Sequence, residues 1–297
     1  MIPVAHVGGA AFEPLQVAAL TLVATAYGFR ALTLSREGRP VPTWRAICFA
    51  AGLLLAAAAL LSPLAHLSDE LLVGHMAQHL LIADIGALLI VLGLTGPLLQ
   101  PLLANRWLGW LRHFAHPLVA LPLWAADLYI WHIPVLYQGA LGSEPLHALQ
   151  HASFIGFGVL MWMPLVGPLP QPRWFGIPAK FGYLIGVRFA GTVLGNVFMW
   201  SNDVFYPDYA PGEADWDISP LTDQSIAGVI MTVEGGFVTF GVLAWLFLLW
   251  AKQDTERQRL VDLAESRGVA LSSERAERAV RAGTGGRLEE RLRQGGS

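Results

Sequence analysis

Apolar residues in this chain gather into runs of roughly twenty, the length a helix needs to cross a hydrocarbon core of about 30 Å. Seven such spans are predicted: Leu15–Leu34, Trp44–Leu61, Leu71–Thr95, Pro117–Trp131, Leu146–Val166, Phe181–Trp200 and Gln224–Trp250. The fourth is short. Its fifteen residues rise only about 22 Å, so it is expected to continue through Ile133–Leu141 with a kink at Pro134. The pattern predicts an all-α integral membrane bundle over residues 1–250. After it comes a charged tail, 251–297, partly helical or disordered. Arg and Glu interleave there over Thr255–Arg281, and Gly283–Gly286 interrupts the pattern.

Composition agrees. Hydrophobic residues make up 54% of the 297 and charged ones 14%, against roughly 25% charged in soluble domains. The mean hydropathy is +0.49. The single cysteine, Cys48, excludes an intrachain disulfide and reads as a small hydrophobe. Met1–Glu13 has no basic residue and no cleavable-signal pattern, so it is expected to stay in the mature protein.

The placement of charge changes the picture more than its total of −3. Arg30, Arg36, Arg39 and Arg45 flank the first connection, Arg106 and Arg112 lie in the third, and Arg173 and Lys180 in the fifth. The tail carries ten more basic residues, while the N-terminus and the even connections hold none. Positive-inside logic then puts the N-terminus outside and the C-terminus in the cytosol.

With that orientation, two similar stretches enter from the outer side: His75-Met76-Ala77-Gln78-His79 and His147-Ala148-Leu149-Gln150-His151. Histidines four apart project from one helix face, within roughly the first 5–12 Å of the outer leaflet at 1.5 Å per residue. His132, leaving the fourth span, reaches the same level. His6 and His66 lie on that side too and read as solvated loop residues. Intramembrane histidines are costly and usually functional. Imidazole suits copper, zinc, iron or nickel, and thioether favours Cu(I). Met76, Met199 and Met231, each a packing residue when taken singly, lean the donor set towards copper. Gln78 and Gln150 are placed to hydrogen-bond the ligands from behind. A hydrogen bond to a neighbouring helix is the plainer account of any one of these histidines. Two pairs together argue for a site.

Deeper in the spans lie Asp84, Asp127, Arg188 and Glu234. Arg188 is expected to pair with one of the three acids. The sharper alternative is a proton or metal path leading down from the histidines.

Several of these segments resemble the CtaG-type cytochrome c oxidase assembly factors. They are His75–Pro97 (HMAQHLLIADIGALLIVLGLTGP), Trp131–Tyr137 (WHIPVLY), His147–His151, and Asp223-Gln224 followed by Ala227–Met231. The resemblance covers about Leu61 to Leu248. It implies a multi-spanning protein of the bacterial plasma membrane that aids assembly of a haem-copper oxidase, its copper centre in particular. His75, His79, His132, His147 and His151 are the histidines it carries over. One departure stands out: where the family commonly has Trp and then Pro-Gly after the methionine, Thr232-Val233-Glu234-Gly235 follows here.

The reading is a non-enzymatic assembly factor that binds copper at its outer face. Its partners are the lipid bilayer and oxidase subunits or copper-delivery proteins, with no nucleic acid. A haem-binding redox protein with axial histidines and a copper transporter are the alternatives. Catalysis has no support, since no nucleophile–base pair or phosphate-binding loop is evident.

The topology makes a direct prediction. Ala214→Cys should react with an impermeant thiol reagent in intact cells and Ser272→Cys should not. The reverse pattern would move the histidines to the cytosolic side.

Overall fold

A computed structural model describes residues 14–294, and the stretch 1–13, with His6, lies outside them. The described residues contain no strand. Six helices are long and apolar enough to cross a membrane, and one bent pair makes a seventh candidate. The chain divides into two units, Met1–Val238 and Thr239–Ser297.

In the first unit, α1 (Pro14–Arg36) and α2 (Thr43–Leu61) are uninterrupted spans. The loop expected after α2 is instead a short helix, α3 (Pro63–Glu70). Ser62 caps it by accepting from Leu64 N at 3.2 Å, and Pro63 takes the first helical position, where no N–H is missed. His66 therefore sits on a helix, its Nε2 3.6 Å from Glu70 Oε1.

The third span is broken internally. α4 (Leu72–Leu80) passes into a π-helical turn over Leu81–Gly86 and then into α5 (Ala87–Gly93). π-turns are rare and cluster at functional sites. This one contains Asp84, and Trp162 Nε1 donates to the Asp84 carbonyl at 3.1 Å. After α6 (Gly96–Ala104), the chain reaches α7 (Pro117–Trp131) and α8 (Pro134–Leu141), which meet at 71°. The expected kink is thus a full break. Ile133 is extended, as a residue before proline prefers, and Pro134 has no N–H to continue the ladder.

The remaining spans are α9 (Glu144–Val166) and α10 (Ile177–Trp200). A loop carrying α11 (Ala210–Asp215) then leads into α12 (Pro220–Ser266), which outruns the expected end at Trp250. α9 packs on α7, on the π-turn and on α5, while α2 packs on α5. The α9 contact is close enough that a Cβ at Gly158 would collide with the carbonyl oxygen of Ala83. Outward, large apolar side chains such as Leu22, Phe29 and Phe189 are 70–75% exposed, a surface suited to lipid.

The second unit holds the end of α12, α13 (Ser273–Arg281) and α14 (Gly285–Arg293). Gly283, at φ 66°, makes the left-handed turn between the last two. Leu260, Ala264, Ala276, Val280 and Leu292 form a small core of their own, and Glu289 pairs with both Arg259 and Arg293 at 2.6 Å. The interleaved charges are therefore the outer faces of packed helices.

The Gly158 contact can be tested against a glycine on the same helix. A Cβ at Gly156 would meet nothing within 4 Å. Gly158→Ala should cost about 1–3 kcal/mol and lower the melting temperature in detergent, while Gly156→Ala should be neutral or slightly stabilising.

Candidate metal centre

The two histidine pairs come together. His75 and His79 project from one face of α4, His147 and His151 from one face of α9, and all four are at least nine-tenths buried. One nitrogen each from His75, His79 and His151 falls within 4.8 Å of the others. His147 adjoins this trio, its ring centroid 4.3 Å from that of His151 and 5.4 Å from that of His75.

Hydrogen bonding does not account for this gathering. Both ring nitrogens of His75 and of His79, and Nε2 of His151, have no hydrogen-bond partner among the described residues. Buried polar atoms are almost always satisfied, and imidazole is a borderline donor for first-row metals. A cluster of unpartnered, mutually facing nitrogens from two helices fits a metal ion by donor type and spacing.

Neighbouring residues hold the frame. Gln78 Nε2 donates to the Ala59 carbonyl at 3.0 Å and ties α4 to α2. Gln150 makes no side-chain hydrogen bond to the described residues and lies buried beside the histidines on α9. Gln16 was not singled out from the sequence, yet its Nε2 lies 3.0 Å from His151 Nδ1. With that amide turned over, Oε1 would accept from Nδ1 and leave the Nε2 lone pair facing the cluster. Its signal in the sequence is faint: one amide among the apolar residues at the start of the first span.

The Asp223-Gln224 pair acquires a physical role. The Asp223 carboxylate accepts from Leu72 N at 2.7 Å and Val73 N at 3.0 Å, capping α4 from another helix. Leu71, the residue at the cap position, has no side-chain acceptor of its own. Gln224 accepts from Phe205 N and donates to the Asp203 carbonyl, which pins the loop beside the site. From that loop, Tyr209 donates to the Ser68 carbonyl at 3.4 Å and meets the Tyr137 hydroxyl at 2.9 Å. Tyr137 in turn packs 5.0 Å from His75, ring to ring. Burial holds the Tyr209 hydroxyl well above its ordinary pKa, so it keeps the proton it donates. Burial, and then the nearby Asp223 carboxylate, likewise raise Glu213.

The other anticipated ligands are spread out. His132 stands at the C-terminal end of α7, its Nε2 3.5 Å from Met76 Sδ, and is not one of the trio. Met199 packs its Cγ near Gly228 of α12, and Met231 belongs to an apolar cluster with Met76, Tyr137 and Phe198.

Arg188 also differs from expectation. Its guanidinium donates to the carbonyls of Met231, at 3.4 Å, and Thr232, and no ion pair within 4 Å joins it to a carboxylate among the described residues. Glu234 and Asp84 act on it through space, while Asp127 sits apart beside Ser153 and Trp131.

The sequence matches the model of the cytochrome c oxidase caa3 assembly factor family over residues 25–253. It is 26% identical over 262 residues to uncharacterized proteins of Mycobacterium bovis and Mycobacterium tuberculosis, covering 82% of this chain and 39% of each of theirs. An uncharacterized Mycobacterium leprae protein is 25% identical over 199 residues, 61% of this chain and 30% of its own. The chain thus spans about two-fifths of the length of the first two relatives. No solved structure matches.

The cap from Asp223 sets an order of stabilities. Asp223→Ala removes both acceptors and should cost about 1–2 kcal/mol; Asp223→Asn keeps one and should fall between it and wild type. Thermal melting in detergent checks the order, and equal melting temperatures would mean the clamp contributes nothing.

Proposed function

The chain belongs to the cytochrome c oxidase caa3 assembly factor family, and from that premise we propose that its histidine cluster carries copper for the oxidase's copper centre. The observation behind this reading is the trio of buried histidines whose ring nitrogens come within 4.8 Å of one another, five of their six ring nitrogens having no hydrogen-bond partner among the described residues. Copper is the cargo. Three or four neutral imidazoles bind it without a fixed negative charge, so release needs only exchange onto competing ligands.

On this reading the protein sits in the bacterial plasma membrane with the histidines near the outer face, N-terminus outside and the tail in the cytosol. It acts by binding and presenting, not by catalysis. Oxidase subunits or copper-delivery proteins are the partners that would exchange the ion. Ring packing weighs against the haem alternative. His75 and His79 stand 4.2 Å apart by centroid and His79 and His151 5.2 Å, rings packed against each other more closely than two ligands on opposite sides of a porphyrin. The acids and the arginine deeper in the spans suit a structural or proton-holding role beneath the ion.

Metal analysis of protein purified without chelators tests the proposal. His79→Ala and His151→Ala each remove a ligand from a different helix and should sharply reduce bound copper. His113→Ala, beyond the far end of the third span, should leave it unchanged. Because protons compete for imidazole nitrogens, occupancy should fall as pH is lowered. Oxidase activity in cells that depend on the protein should follow copper content, with haem less affected. Full copper in both outer variants would reduce the pairs to packing residues.

A further inference from the structure

We propose that His132 and Met76 form a second, separate site for a soft monovalent d10 cation, Cu(I) or its analogue Ag(I), adjoining the three-histidine group. The proposal rests on the metal-binding reading above and adds a place for the ion to pass through.

The argument starts at the break between α7 and α8. Helix ends leave carbonyls without partners, and in a bilayer these must be satisfied from within the protein. His132 Nδ1 lies 2.6 Å from the carbonyl oxygen of Leu128, one turn back. A carbonyl can only accept, so the ring hydrogen is on Nδ1. A neutral imidazole carries one hydrogen, and Nε2 therefore presents a lone pair. An imidazolium at this place, 7% exposed, would bear the desolvation cost of a buried charge.

That lone pair faces a sulfur. Met76 Sδ lies 3.5 Å from Nε2 and is itself an acceptor, on a side chain 1% exposed. With the hydrogen on Nδ1, no proton lies between the two atoms, and neither is a donor to the other. A cation resolves this juxtaposition. With metal–nitrogen and metal–sulfur bonds of roughly 2.0 and 2.3 Å, a separation of 3.5 Å corresponds to an angle of about 110° at the ion. That suits a three- or four-coordinate centre with positions left for exchange. An imidazole–thioether pair without thiolate or carboxylate favours a soft ion. Further anchoring is already present, since the Tyr206 hydroxyl donates to the His132 carbonyl at 2.8 Å.

The pair is distinct from the trio yet shares its walls. The Phe154 ring lies 4.5 Å from that of His79 and 6.1 Å from that of His132. Tyr137 is 5.0 Å from His75 and 6.2 Å from His132. Met76 and His75 are neighbours on α4, so one helix offers a nitrogen to one site and a sulfur to the other. Passage between them needs only ligand exchange, with no change of oxidation state.

Titration of the purified full-length chain with Ag(I) and with Cu(I), combined with X-ray absorption at the copper edge, tests this. Wild type should bind two ions, with a sulfur neighbour in the copper spectrum. Met76→Leu, a volume-conserving change, and His132→Ala should each bind one, and Met76→Leu should lose the sulfur signal. His79→Ala should lose the other ion and keep the sulfur signal. A single ion with nitrogen neighbours only, unchanged in Met76→Leu, would overturn the second site while leaving the three-histidine site standing. Absence of any bound ion would overturn both.

Discussion

A polar atom inside a membrane has no water to fall back on, and that constraint organises the first unit of this protein. At three places where the helical ladder is interrupted, a named donor or acceptor from elsewhere answers it. The π-turn's Asp84 carbonyl takes the Trp162 indole N–H. At the α7–α8 break, His132 and Tyr206 serve the Leu128 and His132 carbonyls. The start of α4 takes both oxygens of Asp223. Other buried polar atoms, those of Gln150 and Glu234 among them, share with the nitrogens of His75, His79 and His151 the lack of a partner among the described residues, and what sets the histidines apart is that their nitrogens converge within 4.8 Å of one another.

The clamp from Asp223 also explains how a site near a helix end can be rigid. Residues in the first turn of a helix fray easily when their N–H groups lack partners. His75 is one turn from the start of α4, where such mobility would blur the spacing of the nitrogens. Fixing Leu72 and Val73 from α12, and α4 to α2 through Gln78, ties the histidine-bearing helix to two others. The histidines are positioned by residues outside their own cluster.

Much of this was legible in the sequence, for physical reasons. Hydrocarbon thickness fixes span length, so the apolar runs locate the spans, although the last helix continues from Trp250 to Ser266 and a π-turn interrupts the third. The i, i+4 spacing gave each histidine pair a common face. Proline at 134 announced a kink, which the structure makes a full 71° break. What the sequence hid depends on tertiary register: which carbonyl Arg188 reaches, which helix Asp223 caps, and that Gln16 approaches His151. These pairs are separated by 43 to 151 positions, and no local spacing encodes such contacts. The family's motif pointed at Asp223 and Gln224 without saying what they hold. The tail reads from sequence as a solvated charged segment because a small core of a few aliphatic residues is hard to see among so many charges.

The π-turn has one more effect, on phase. An ordinary helix carries a stripe of residues down one side with constant angular steps. A wider turn over Leu81–Gly86 resets that count, so the stripe that begins with His75 and His79 does not continue straight into α5. The histidine-bearing half and the half after the π-turn are thereby offset in phase about a common axis. A span built this way changes the face it presents partway along, with His75 and His79 before the change and Ala87–Gly93 after it.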